Sequence, residues 1–159
     1  MGIYIEDLDD IHEPEPVPEG LYEVEIVDAT YTPGDNARIN VQVAILNPPD
    51  ENPNPPFIRP ALFLPDESKE AWKVNQSKLN LKRFYHLFRL DAPKREMDDE
   101  ETAEWVGTWR GKRAKCKVKQ SYNDRMDRNE NALVVPPLPA PGASASTSTR
   151  SKKSAPSSI

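Results

Sequence analysis

Residues 110–122 read Arg-Gly-Lys-Arg-Ala-Lys-Cys-Lys-Val-Lys-Gln-Ser-Tyr. With the two-residue period of a β-strand, Ala114, Cys116 and Val118 share one face. Arg113, Lys115, Lys117 and Lys119 share the other. One face is therefore suited to burial and the opposite one carries only positive charge. Trp105 and Trp109 lie just before this stretch, and Tyr122 closes it. Cations at strand spacing beside flat rings suit a polyanion that carries bases, which is single-stranded nucleic acid. The competing account is a solvated edge strand whose lysines block pairing with other chains.

No other set of residues makes a convincing chemical centre. Cys116 falls on the apolar face, where a thiol behaves as a small hydrophobe rather than a nucleophile. His12 lies in an acidic stretch and His86 in an apolar one, so they have no metal-ligand spacing. The acids at residues 98–101 suit the first turn of a helix, where the dipole favours them, better than a two-metal nuclease centre. A phosphate-cradling glycine loop and a Ser/His/Asp set are both missing. The expectation is a binding protein, not an enzyme, with no cofactor and no metal.

The net charge of the 159 residues is -5, which argues against indiscriminate nucleic-acid binding. The charge is unevenly placed, however. Residues 1–19 hold seven acids and no Lys or Arg, whereas residues 110–128 hold eight bases and two acids. Local field decides whether a phosphate backbone binds. One cysteine excludes an internal disulfide. No apolar run approaches the ~18 residues of a membrane span. An acidic N-terminus does not fit a secretory leader. The chain reads as soluble and cytoplasmic, in the host cytoplasm if viral.

The elements that must position the basic row can be read from pattern. Residues 1–19 form an acidic arm, extended by Pro14, Pro16 and Pro18, that could dock on the protein's own basic face or on a partner. Residues 20–138 form the domain. Tyr22, Val24 and Ile26 share the core face of a first strand, and residues 33–36 make a turn. Ile39, Val41, Val43 and Ile45 face the core from a second strand, with Arg38, Asn40 and Gln42 outward. After a Pro- and Asn-rich loop, residues 57–64 read as a bent or edge strand because Pro60 interrupts them.

Asp66 or Ser68 is expected to cap a short turn through Trp72, and Ser77 to start a helix over residues 78–90. Its stripe of Leu81, Phe84, Tyr85, Leu87 and Phe88 reads as core. A shorter helix over residues 98–105, ended by Gly107, precedes the basic strand at 112–120. Residues 123–131 read as a charged hairpin loop, and 132–135 as a short last strand. Residues 139–159, rich in Ser, Ala and Pro with scattered bases, read as a disordered tail. The fold class is thus mainly β with a helical insert, in the order β-β-β-α-β-β. That is the layout of a five-stranded OB-fold-like barrel, whose faces and loops commonly bind single strands.

Three passages resemble bacteriophage-type OB-fold single-stranded DNA-binding proteins. Pro18-Glu19-Gly20-Leu21-Tyr22-Glu23-Val24-Glu25-Ile26-Val27-Asp28-Ala29 is similar to their opening strand. Trp105-Val106-Gly107-Thr108-Trp109-Arg110-Gly111-Lys112-Arg113-Ala114-Lys115-Cys116-Lys117-Val118 is similar to the passage that leads into and forms their basic strand, and Asn131-Ala132-Leu133-Val134-Val135-Pro136 to their closing strand. Leu79-Asn80-Leu81-Lys82-Arg83-Phe84 falls where they place a helix. The likeness spans residues 18–138. It implies sequence-independent binding of single-stranded DNA in phage replication or recombination. Many proteins of this function end in an acidic tail that recruits replication partners and competes with DNA. Here the C-terminal tail is basic and the acids are at the N-terminus, so the same job is expected of residues 5–15.

On this reading Arg113, Lys115, Lys117 and Lys119 track phosphates, and Tyr122, Tyr31 and one of Trp105 and Trp109 stack on bases. At least one of the two tryptophans belongs to the core. Arg38 and Arg59 extend the groove if the second and third strands border the basic one. The partners expected are single-stranded DNA and, through the acidic arm, replication or recombination proteins. Self-association into a homo-oligomer stays open. The alternative is a protein-interaction or virion-assembly module without nucleic-acid binding.

Overall fold

A computed structural model describes residues 13–139. The first twelve residues of the acidic arm and nearly all of the Ser-rich tail, for which an extended arm and a disordered tail were expected, lie outside the described residues. In chain order the elements are β1 (Gly20–Thr32), β2 (Arg38–Ile45), β3 (Ala61–Phe63), α1 (Ala71–Phe88), α2 (Asp99–Gly107), β4 (Arg113–Asn123) and β5 (Arg128–Val134). The five strands make one antiparallel sheet in the order β3-β2-β1-β4-β5. The mainly-β class and the order of elements are as the sequence implies.

β1 is long enough to serve two partners. Its residues 20–25 pair with β4, and Val24 to Thr32 pair with β2. The register with β2 slips between Ile26 and Asp28, a bulge that bends the strand and raises its twist. Tyr22, Val24 and Ile26 from β1 are buried, as are Ile39, Val41, Val43 and Ile45 from β2, and Cys116 and Val118 from β4. The period-two alternation thus sets one face of the sheet into the core.

The sheet is open. β3 and β5 are its two edges, and among the described residues no ladder joins them. The closed barrel expected from the sequence is therefore not formed by backbone pairing. Pro60 interrupts the pairing of this edge with β2. Its carbonyl accepts from the Val41 N–H at 3.0 Å, but a proline has no N–H to return. Ile58 and Val43 exchange both hydrogen bonds just beyond it. Residues 57–63 thus run along β2 as an interrupted edge, with only the last three residues assigned to β3.

The two helices pack beside the sheet. α1 is one continuous helix from Ala71, not a turn followed by a helix from residue 78. Val74 is buried, as are Leu81, Phe84 and Phe88, so the apolar stripe reaches two turns further back than expected. Neither Asp66 nor Ser68 caps it; the N-cap is Glu70, without a side-chain bond, while Asp66 accepts from Ser68 in the preceding turn. α2 opens on a capping box: Asp98 accepts from the Glu101 N–H, and Glu101 accepts from the Asp98 N–H. The expected hairpin loop at 123–131 is mostly ladder, since β4 and β5 pair as far as Asn123 and Arg128.

Residue 17 stood within the expected arm, yet Val17 is fully buried in the core. Among the described residues no helix is long and apolar enough to cross a membrane.

Candidate nucleic-acid interface

The basic row of β4 is outward-facing as expected: Arg113, Lys115, Lys117 and Lys119 are all exposed. Its neighbours alter its meaning. The β1 register sets Glu25 opposite Arg113 and Glu23 opposite Lys115. Arg113 Nε donates to Glu25 Oε1 at 2.7 Å, and Arg110 reaches Asp28 at 3.1 Å. The first half of the row is therefore a cross-strand charge ladder, of the kind that helps hold register. The second half is different. Lys117 faces Leu21 and Val134, with no carboxylate opposite it, and Lys119 faces Ala132, while the Glu19 carboxylate accepts from the neighbouring Gln120 N–H at 3.1 Å. Tyr122 is 58% exposed at the hairpin end, where its hydroxyl bonds to Asp127.

The tryptophans lie elsewhere. Trp109 is 1% exposed, with Phe84 at 5.8 Å and Trp105 at 5.2 Å between ring centroids. Its ring has no open face for a base. Trp105 is half-buried and meets Tyr85 edge-on at 5.4 Å. These rings tie α1 to α2 and the sheet. Tyr31 is half-buried, and its hydroxyl donates to Asp99 at 2.9 Å, which engages it with the start of α2. Arg38 and Arg59 do not border the basic strand, because β1 stands between β4 and β2.

Arg59 belongs to another surface. Between the edges of the sheet lies a cleft of about 1640 Å³. Residues 57–63 form one wall, β5 the other, and Ser77, Asn80, Arg83 and Phe84 of α1 the floor. Along the edge Ile58 and Leu62 turn inward, while Phe57, Arg59, Ala61 and Phe63 are exposed. Phe57 and Phe63 are 48% and 51% exposed. Two open rings thus flank a guanidinium at strand spacing. Arg83 lines the same cleft, and its Nε is buried without a hydrogen-bond partner. An unpaired buried donor on a cation is costly unless an acceptor arrives. Arg128 completes the set, 3.7 Å from Glu130.

The first described residues enter this cleft. Glu13 to Pro16 line it. Asn52, in the loop before the β3 edge, donates to the carbonyls of Glu15 and Pro16 at 2.9 and 3.0 Å. On the other side Gln120 and Asn131 donate to the Val17 carbonyl at 2.8 and 3.0 Å. The segment thus spans the opening between the two sheet edges. It brings Glu13 and Glu15 to a cleft that already holds three arginines.

No protein-family model matches this chain, and no curated protein matches its sequence. Among the described residues no group of three or more His, Cys, Asp or Glu side chains comes together as a metal site.

The sequence reading missed Phe57, Phe63, Arg83 and Arg128. A signal for the first two was present in the period-two placing of Phe57, Arg59 and Phe63, but Pro60 obscured it. Arg83 was hidden within a helix whose stripe read as core.

Proposed function

We propose that this protein binds single-stranded DNA without sequence preference, using the cleft between β3 and β5 as its main seat. The observation that carries the reading is the exposed edge of Phe57, Arg59 and Phe63 beside the unpaired buried Nε of Arg83. Rings stack on any base and guanidinium groups pair with any phosphate, so neither contact reads sequence. Only unpaired bases can reach such rings, which favours single strands over duplex. Lys119 extends the surface, since it stands opposite Ala132 in the cleft wall. Lys117 and Tyr122 continue it along β4. Arg113 and Lys115 contribute less because Glu25 and Glu23 face them.

In this proposal the fold is an OB-type barrel left open between β3 and β5, the gap serving as the binding groove. Covering single strands during phage DNA replication or recombination is the role that accompanies the sequence resemblance. The acidic arm would compete with DNA and meet protein partners.

The deciding test is titration of a labelled oligo-dT at ~50 and ~200 mM salt, with a duplex control. Selective, salt-weakened binding is expected. Phe57→Ala is expected to weaken it about 5- to 150-fold, the equivalent of losing one stacked base at ~1–3 kcal/mol. Absence of binding at low salt would defeat the proposal and favour a protein-interaction or assembly module.

A further inference from the structure

Trp72 stands in the first turn of α1 and is 63% exposed. A lone exposed apolar side chain is ordinary; a tryptophan that is both exposed and held in place is less so. The indole Nε1 donates to Glu70 at 3.1 Å, and the Lys73 ammonium lies over the ring, 5.6 Å from its centroid. Glu70 and Lys73 also pair with each other at 3.5 Å. Trp105 and Trp109 meet other rings, whereas Trp72 makes no ring contact among the described residues and stands outside the core cluster. Its neighbours thus orient the indole without any return to the packing of the core. A ring that is already oriented loses little freedom when a flat group stacks on it.

Two routes join Trp72 to the cleft. Residues four apart on a helix are surface neighbours. Trp72, Gln76 and Asn80 form such a row, Gln76 Nε2 donates to Asn80 Oδ1 at 3.0 Å, and Asn80 lines the cleft. Beside that row, Lys73 is the neighbour of Ser77, which also lines the cleft. The open space follows the same course. A second cavity of about 450 Å³ lies at the start of α1, and Phe63 and Ser77 line both it and the cleft. Lys69 and Lys73 line this second cavity together with Asp35, Asp66 and Glu67. A strand that leaves the cleft past Phe63 therefore arrives at the first turn of α1. No net positive charge meets it there, so what this end offers is a ring and not phosphate contacts.

We propose that Trp72 is a stacking platform for a base of the single strand held in the cleft, placed beyond the Phe63 end. The inference rests on the reading of the cleft as a single-strand site. Phe57 and Phe63 are six residues apart along the edge, up to ~20 Å at ~3.3 Å per residue, a length that about six nucleotides span at ~3.4 Å each. A strand of that length fills the cleft, and only a longer one reaches Trp72.

The test uses the full chain and labelled oligo-dT probes of ~6 and ~20 nucleotides, one near the lower end of the site sizes of such folds and one beyond the upper end. In Trp72→Ala, affinity for the long probe is expected to fall about 5- to 150-fold, the loss of one stacked base. Affinity for the short probe is expected to stay at the wild-type level, which also reports an intact fold. The slope of log affinity against log salt is expected to stay unchanged for both probes, since no phosphate contact is lost. Trp72→Phe keeps a ring and is expected to retain a large part of the long-probe affinity. Unchanged long-probe affinity in Trp72→Ala would overturn the inference while leaving the cleft reading intact. Equal losses on both probes, a shallower slope, or a Phe variant as weak as the Ala variant would also overturn it, since the residue would then act through the fold or the local charges and not by stacking. Wild-type protein that binds neither probe would instead overturn the cleft reading itself.

Discussion

The side-chain amide of Asn131 pairs with both backbone groups of Val17. Its Oδ1 accepts from the Val17 N–H at 2.8 Å, and its Nδ2 donates to the Val17 carbonyl at 3.0 Å. A single β5 side chain thus does for residue 17 what a neighbouring strand would do. Gln120 also donates to that carbonyl, so the N–H depends on Asn131 alone. Asn131→Ala leaves a buried donor unpaired, and a loss of ~1–3 kcal/mol is expected. Urea unfolding checks it: the midpoint falls with little change in slope. An unchanged midpoint would mean that water or another group replaces the amide.

The same segment brings Glu13 and Glu15 to the cleft that Arg59, Arg83 and Arg128 line. Phosphates and these carboxylates would compete for the same guanidinium groups. Removal of residues 1–16 is expected to tighten oligo-dT binding several-fold at low salt, with a smaller gain at high salt where charge is screened. Glu13→Gln with Glu15→Gln reproduces part of the gain without shortening the chain. Fluorescence anisotropy reads both, and equal affinities would remove the arm from the binding account.

Glu23 and Glu25 face Lys115 and Arg113 across the β1–β4 ladder. Exposed pairs of this kind hold register by only ~0.2–1 kcal/mol each. The double change Glu23→Gln and Glu25→Gln therefore leaves the fold in place, frees Arg113 from its partner and removes the carboxylate that faces Lys115. Oligo-dT binding is expected to tighten and its salt dependence to steepen, by up to about 1.4 in slope if both cations find phosphates. An unchanged slope would confine the nucleic-acid path to the cleft.

Tyr85 lies against Trp105 and Trp109, and burial pushes its hydroxyl from 10.0 up to about 12. The folded state therefore holds the neutral form more firmly than the unfolded state does. The stability tied to this difference is fully present below pH 10 and is lost as pH rises toward 12. Tyr85→Phe is expected to flatten the fall in urea midpoint across that window. Absorbance titration gives the companion reading, with one late-ionising phenol missing from the variant.

Much of the local structure was legible because it depends on near neighbours. The alternation of Ile39, Val41, Val43 and Ile45 places one face of β2 in the core whatever strand lies beside it. The acids at 98–101 close a capping box within four residues. Cys116 is buried, and desolvation raises its thiol, as an apolar strand position implies. The helix start was less legible: Val74, two turns before the recognised stripe, is buried, and the helix runs back past it to Ala71.

By itself, then, the sequence determined which residues face inward, which outward, and in what order strands and helices follow. Those properties arise from periods of two and 3.6 along the chain. Tertiary structure decided what each outward residue faces. The cations of β4 looked unopposed until register set Glu23 and Glu25 beside them. Arg59 looked like an extension of that row until strand order put β1 between. Phe57, Arg83 and Arg128 come together only because the two sheet edges stand apart over α1. Pairing between strands far apart in sequence leaves no local periodicity, so only the folded chain shows the cleft.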